Sequence, residues 1–225
     1  QSILDSYRID YASEEIKKLP NEIQSKLKNL PENRQKQLNY ELQKTREKIE
    51  ENGGTWEAGF NEKTILSDSE KKKLMGLKGT PPIRREEFSE ALTSSTSSNL
   101  PDFYDWRAIH GNNYITSVKG QLGCGGCWAF GAVAVLEGET NAYYNKPVNL
   151  DMSEQDLISC YLPTKYGELG CDGATDPQIQ NLFSNYYQQT GVATETSFPY
   201  DSSDIPCSNK ASNWQQNAWK TQGYQ

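Results

Sequence analysis

The stretch KGQLGCGGCWAFGAV, from Lys119 to Val133, joins a glycine-rich turn to an apolar segment that continues to Tyr144. Apolar and small residues occupy nearly every side of that segment, which predicts a buried central helix. Cys127 lies in its first turn, where unpaired backbone N–H groups and the positive end of the helix dipole favour an anion. Because the thiolate is the reactive form of cysteine, this position favours a nucleophile at Cys127.

Composition divides the chain into two parts. The 225 residues suffice for one or two domains and carry a formal net charge of −7. Residues 1–99 hold 17 basic and 17 acidic side chains, whereas residues 100–225 hold 6 and 13 and all five cysteines. The acidic second part argues against a nucleic-acid partner, which would need a basic face. No apolar run is long enough to span a membrane. Since Gln1 shows neither an initiator methionine nor a signal core, we expect a processed or cut start.

The first part is polar and helical in pattern over residues 13–51. Ser13 and Asn21 are predicted to cap two helices that Pro20 separates. The stretch SDSE, Ser67 to Glu70, predicts a capping box that opens a short helix ending at Gly76. The apolar stripe is too thin for a self-sufficient core, which leaves two interpretations. One is a solvated helical arm, and the other is a segment that lies on the second part and is later removed at the linker. The stripe consists of Ile16, Leu19, Ile23, Leu27, Leu30, Leu38, Leu42 and Ile49.

The five cysteines are an odd number, which indicates two bridges, one free thiol and an oxidising compartment. Three interpretations compete for CGGC. A redox pair of Cys124 and Cys127 would need an alternating α/β pattern around it, and the preceding residues offer at most a short strand. A zinc site of Cys124, Cys127, Cys160 and Cys171 would lack the usual ligand spacing.

The third interpretation is a resemblance. QLGCGGCWAF resembles the active-site segment of the papain-like cysteine proteases, the papain/cathepsin family, whose signature is C-G-[SA]-C-[WY]. Gly126 stands where that family has Ser or Ala. The similarity to this family extends over residues 52–210. The further stretches are LPDFYDWR, YITSVKGQ, LDMSEQDLISC, GCDGATDP and SFPYDSSDIPC. The stretch TWEAGFNEKTILSDSEKKKLMGLKG is similar to a propeptide end of cathepsin-B-like and some prokaryotic members.

The resemblance implies an α+β papain-like fold. Residues 1–99 would form a helical prosegment and linker. Residues 100–225 would form the N-terminal, mainly helical nucleophile lobe of the peptidase domain, and most of the second, β-rich lobe would lie outside the chain. The cysteines would pair as Cys124–Cys171 and Cys160–Cys207. Glu137 and Glu154 match acidic positions that meet inside this lobe, although two ordinary solvated carboxylates remain the alternative.

The resemblance also assigns roles at the site. Cys127 would attack a peptide carbonyl and form a thioester, and Gln121 would donate to the oxyanion. The implied substrate-binding residues are Gly125, Trp128, Gly173, Ala174 and Asp176. Ala174 replaces a usual glycine, and its methyl group is expected to crowd the backbone pairing of a substrate. Asp176 argues against a purely hydrophobic pocket.

The catalytic base is missing from this pattern. In the family the histidine lies roughly 130–150 residues after the nucleophile, but only 98 residues follow Cys127. His110, the single histidine, is expected to be a solvated loop residue. We therefore predict an incomplete zymogen of a cysteine endopeptidase, inactive by itself, with polypeptide substrates, its own prosegment as inhibitor, and no cofactor or metal. Its compartment would be secreted or lysosome- or vacuole-like. The alternative is a non-catalytic lobe that binds peptides or a protease.

Overall fold

The computed structural model describes residues 3–79, 103–109 and 111–222. The chain divides into two compact units, Gln1–Lys71 and Lys72–Gln225. His110 and the predicted boundary at residue 99 lie outside the described residues, so what the sequence indicates for both stays a prediction. Within the described ranges, no helix combines the length and the apolar character needed to cross a membrane.

The first unit is helical, as the pattern predicts. A short 3-10 turn, Ile3–Ser6, precedes α1 (Glu14–Lys17), α2 (Asn21–Asn29) and α3 (Glu32–Glu51). Ser13 caps α1, since its hydroxyl accepts a hydrogen bond from the backbone N–H of Ile16. The predicted cap at Asn21 is wrong. Pro20 takes the capping position, because its carbonyl already accepts from Gln24 N–H and its fixed φ suits a helix start.

This unit has its own core, so the interpretation as a solvated arm is wrong. The helical stripe is completed by Ala58, Phe60 and Ile65, which come from the irregular segment after α3. Arg46 on α3 fixes that segment by donating two hydrogen bonds, 2.9 and 2.7 Å long, to the carbonyl of Ala58. The buried residues are Ile16, Ile23, Leu27, Leu38, Leu42, Ala58, Phe60 and Ile65.

The predicted capping box is present at the start of α4 (Asp68–Lys73). Ser67 N–H donates to Glu70 Oε2 over 2.7 Å, and Glu70 N–H donates to Ser67 Oγ over 3.3 Å. The helix ends at Lys73 rather than at the predicted Gly76, because the chain then becomes extended and forms β1 (Leu77–Lys78).

The second unit is built around α5 (Cys127–Tyr143), a helix of 17 residues. Two helical segments pack with it, each interrupted by a π-helical turn. The first runs through α6 (Glu154–Asp156), Leu157–Tyr161 and α7 (Leu162–Tyr166), and the second through α8 (Asp176–Asn181), Leu182–Tyr186 and α9 (Tyr187–Gln189). Strand β2 (Ala174–Thr175) pairs in parallel with β1, with Leu77 opposite Ala174 and Lys78 opposite Thr175.

Helix α5 is central but not buried all round. Ala129, Val133 and Leu136 lie in the core, whereas Val135 is 52% exposed and Tyr143 is 79% exposed. Because the sequence of this helix has apolar residues on every side, it shows no polar face. The pattern therefore could not predict which side of the helix is exposed among the described residues.

Both implied disulfide bridges are present. Cys124 is bonded to Cys171 and Cys160 to Cys207, each with a sequence separation of 47 residues. Chain entropy makes a loop of this length worth about 4 kcal/mol. Since Cys124 is bonded outside CGGC, neither the redox pair nor the zinc site stands. The bridges indicate an oxidising compartment.

Candidate active site

The start of α5 holds the free thiol. Gly126 precedes the helix with φ −86° and ψ 8°, and its carbonyl accepts from the N–H groups of Ala129 and Phe130. The N–H groups before Ala129, those of Cys127 and Trp128, have no acceptor within the helix and point toward its start. Cys127, the first helical residue, is half-buried, and it is the free cysteine among the described residues. An anion here would be stabilised by the helix end.

The side chain of Gln121 reaches the same place. Its Nε2 donates to the carbonyl of Cys124 (2.9 Å) and to the carbonyl of Leu74 (2.9 Å). Its own backbone carbonyl accepts from the Tyr200 hydroxyl over 2.7 Å. The Tyr200 ring packs edge-on against Phe130 of α5, with centroids 5.0 Å apart. Hydrogen bonds therefore fix both the side-chain amide and the backbone carbonyl of Gln121.

Residues 74–78, which we call the cleft segment, lie on the thiol. Gly76 N–H donates to Cys127 Sγ over 3.1 Å, and Gly76 O accepts from Ala174 N–H over 2.7 Å. A side chain at residue 76 would not fit, because its Cβ would lie 1.8 Å from the carbonyl oxygen of Gly125. The cleft segment therefore places bare backbone against Cys127. The sequence analysis did not predict this contact between Gly76 and Cys127. The isolated glycine within LMGLKG was nevertheless a signal of close backbone approach.

Three of the predicted substrate-binding residues line this backbone contact. Gly125 donates its N–H to Cys171 O (3.0 Å), and a Cβ on Gly125 would meet that oxygen at 2.4 Å. Gly173 has φ +94°, and a Cβ there would lie 2.3 Å from Gly76 O. Ala174 is fully buried and pairs with the cleft segment. The methyl group of Ala174 leaves room for the cleft segment, and the expected crowding of a substrate stays a prediction.

The other two predicted residues lie differently. Trp128 is only 4% exposed and belongs to the core, where its indole N–H donates to Gly170 O over 2.9 Å. This bond holds the loop before Gly173. Asp176 is partly buried and begins α8 directly after β2. No substrate is present, so their roles toward one stay predictions.

Glu137 and Glu154 do meet inside the unit, around a lysine that the sequence did not single out. Lys119 Nζ lies 2.9 Å from Glu154 Oε1, 3.5 Å from Glu137 Oε1 and 2.8 Å from Asp151 Oδ1. Both glutamates are buried, so the solvated alternative is wrong. Burial raises the pKa of Glu154 to about 7, although the hydrogen bond and charge of Lys119 act to lower it.

The site is suited to covalent chemistry on a carbonyl carbon. A free thiol at a helix start and an amide donor that bonds the same segment are the groups that a cysteine nucleophile with an oxyanion site would need. Within the described ranges, no group of three or more His, Cys, Asp or Glu side chains could hold a metal ion.

Comparison with known sequences gives the family. The sequence profile described as “Papain family cysteine protease” matches residues 100–225. The chain therefore belongs to the papain family of cysteine proteases.

Curated relatives agree with this assignment over part of their length. “Cathepsin L-like” of Caenorhabditis elegans is 37% identical over 153 residues, which are 68% of this chain and 42% of that protein. “Cathepsin S” of Rattus norvegicus is 35% identical over 143 residues, covering 63% of this chain and 41% of that protein. The chain thus spans about two fifths of the length of the curated relatives it matches.

Solved structures show the same fold. Digestive procathepsin L 3 from the larval midgut of Tenebrio molitor superposes with a TM-score of 0.60 at 20% identity, covering 98% of this chain and 64% of that one. The ragweed pollen cysteine protease Amb a 11 in its proform gives a TM-score of 0.58 at 25% identity, covering 89% of this chain and 54% of that one. The mainly helical lobe predicted from sequence is confirmed.

Proposed function

We propose that the complete gene product is an endopeptidase that hydrolyses peptide bonds of polypeptides through Cys127. The observation that carries this proposal is the convergence of two groups on three consecutive residues of backbone. Cys127 Sγ accepts from Gly76 N–H, and Gln121 Nε2 donates to Leu74 O, so a thiol and an amide donor already engage a peptide chain.

The chemistry follows from these positions. The Cys127 thiolate attacks a peptide carbonyl carbon, and the negative charge moves to the carbonyl oxygen, where Gln121 Nε2 and a backbone N–H of the helix start donate. Collapse of this intermediate breaks the C–N bond and leaves a thioester on Cys127, which water then hydrolyses. The departing amine needs a proton, and we assign its delivery to an imidazole outside residues 1–225. The reaction requires no cofactor.

The cleft segment would act as an intramolecular inhibitor. Its backbone forms hydrogen bonds with the Cys127 thiol, the Gln121 side-chain amide and the edge of β2. A substrate would use the same three groups. Because β1 and β2 are parallel, the segment runs in the opposite direction to a chain that would pair antiparallel with the same edge. Activation would require its removal, in a secreted or lysosome-like oxidising compartment.

The test compares the complete gene product, freed of residues 1–99, with its Cys127→Ala and Gln121→Ala variants on a fluorogenic peptide. Cys127→Ala should abolish hydrolysis. Gln121→Ala should lower kcat by about 100- to 1000-fold, as expected for the loss of one oxyanion donor. Gln189→Ala, on the exposed end of α9, serves as the matched control. If the complete product binds peptides but Cys127-dependent hydrolysis is absent, it is a binding lobe instead.

A further inference from the structure

A carboxylate is held beside the strand that pairs with the cleft segment. Glu168 follows α7 after Gly167, whose φ of +70° lets the chain turn back. Its Oε1 accepts from Gln178 Nε2 over 3.0 Å. Gln178 is 6% exposed, and its own Oε1 accepts from the N–H and the hydroxyl of Thr175. The buried amide therefore ties Glu168 to the end of β2.

Lys78 of the cleft segment meets this carboxylate. Lys78 is level with Thr175 in the β1–β2 register, and its Nζ lies 3.9 Å from Glu168 Oε2. It stands two residues from Gly76, which contacts the thiol. Side chains alternate along a strand, so every second side chain of a chain paired with β2 would lie on the side of Glu168.

From this arrangement we infer an acidic subsite in the cleft, formed by Glu168 and oriented by Gln178, that takes a lysine or arginine side chain of a bound peptide. The inference rests on the proposed function and adds a substrate class to it. Lys78 occupies the subsite in the present chain and so helps to seat the cleft segment.

The first test uses the 225-residue chain and needs no catalysis. Cys127 is only half-buried beneath the cleft segment, and iodoacetamide should alkylate it faster when the segment lifts, so a change in alkylation rate reports a change in its seating. Lys78→Glu and Glu168→Lys should each raise the rate by about two- to fivefold, the range of a solvent-exposed ion pair. The double variant exchanges the charges but lacks the acceptor for Gln178, so its rate should lie below the product of the two single effects without returning fully to the wild-type rate. Lys165→Glu makes the same charge change at an exposed position of α7 and should leave the rate unchanged.

The second test uses the complete gene product without residues 1–99 and peptides in which lysine is scanned along both sides of the cleaved bond. Lysine at one of the scanned positions should raise kcat/KM by about two- to fivefold over glutamine, mainly through KM. Glu168→Gln keeps the acceptor for Gln178 and should remove this preference.

Two outcomes would overturn the subsite. One is an alkylation rate of the double variant equal to the product of the two single effects, and the other is a lysine preference that survives Glu168→Gln. If the complete product cleaves no peptide at all, the proposed function fails. The alkylation cycle then still decides whether Glu168 binds a basic side chain.

Discussion

Replacing Gly76 by alanine should release the thiol. A methyl group at residue 76 would lie 1.8 Å from Gly125 O, 2.7 Å from Gly125 C and 3.2 Å from Cys127 Sγ. Two of these contacts are with backbone that cannot rotate away. The cleft segment must therefore withdraw by more than about 1 Å to restore an ordinary van der Waals separation.

The size of the effect follows from the bonds that withdrawal breaks. The hydrogen bond from Gly76 N–H to Sγ and the bond from Ala174 N–H to Gly76 O are both lost. A hydrogen bond of this kind contributes about 0.5–1.5 kcal/mol net, so the two together contribute about 1–3 kcal/mol. Since about 1.4 kcal/mol is a factor of ten, the alkylation rate of Cys127 should rise by about 5- to 140-fold.

The assay follows incorporation of iodoacetamide by mass spectrometry at fixed pH, with the two disulfides intact. Gly123→Ala is the matched control, because a Cβ there would meet no atom within 4 Å. Circular dichroism should show equal helix content in all three proteins. An unchanged alkylation rate in Gly76→Ala would refute the placement of bare backbone on the thiol.

Three further predictions concern stability. Burial raises the pKa of Glu154 from 4.5 to about 7, so its contribution to folding is largest below pH 4.5 and is lost as pH rises through 7. The free energy of unfolding, measured in urea at pH 5 and pH 8, should therefore decline less with pH in Glu154→Gln than in the wild type. Replacing Cys160 and Cys207 together by alanine should destabilise the second unit by about 4 kcal/mol, which calorimetry would test against the wild type; an unchanged melting temperature would contradict it. Leu27→Ala, at a fully buried position, should destabilise the first unit by about 2–5 kcal/mol, whereas Lys28→Ala should change its urea midpoint little.

Local patterns and the family resemblance predicted the parts of the molecule that short sequence motifs determine. Ser13 as a cap, the capping box at Ser67, the start of α5 at Cys127 and both bridges follow from a few residues each or from a matched motif. The core of the first unit did not follow. Phe60 and Ile65 lie in an irregular segment without periodicity, so no pattern joined them to the helical stripe.

Contacts between residues far apart in the sequence could not be predicted from local patterns either. The pairing of Leu77 with Ala174 joins positions almost a hundred residues apart, and two-residue strands carry no readable alternation. The burial of Trp128 could not be predicted, because its helix is apolar on both sides and the sequence does not say which way the ring faces. Lys119 was missed because a lysine in a loop is ordinarily solvated.

The order of the two bridges along the chain has a consequence for what happens when the chain is cut. Cys160 lies inside the loop closed by Cys124 and Cys171, while Cys207 lies outside it, so the two covalent loops overlap. A single cut at any peptide bond between Cys124 and Cys207 is spanned by at least one bridge. The pieces stay joined, and the nick becomes visible only on a reducing gel. One proteolytic nick in this range therefore releases no fragment, whereas two cuts between neighbouring bridged cysteines would free the piece between them.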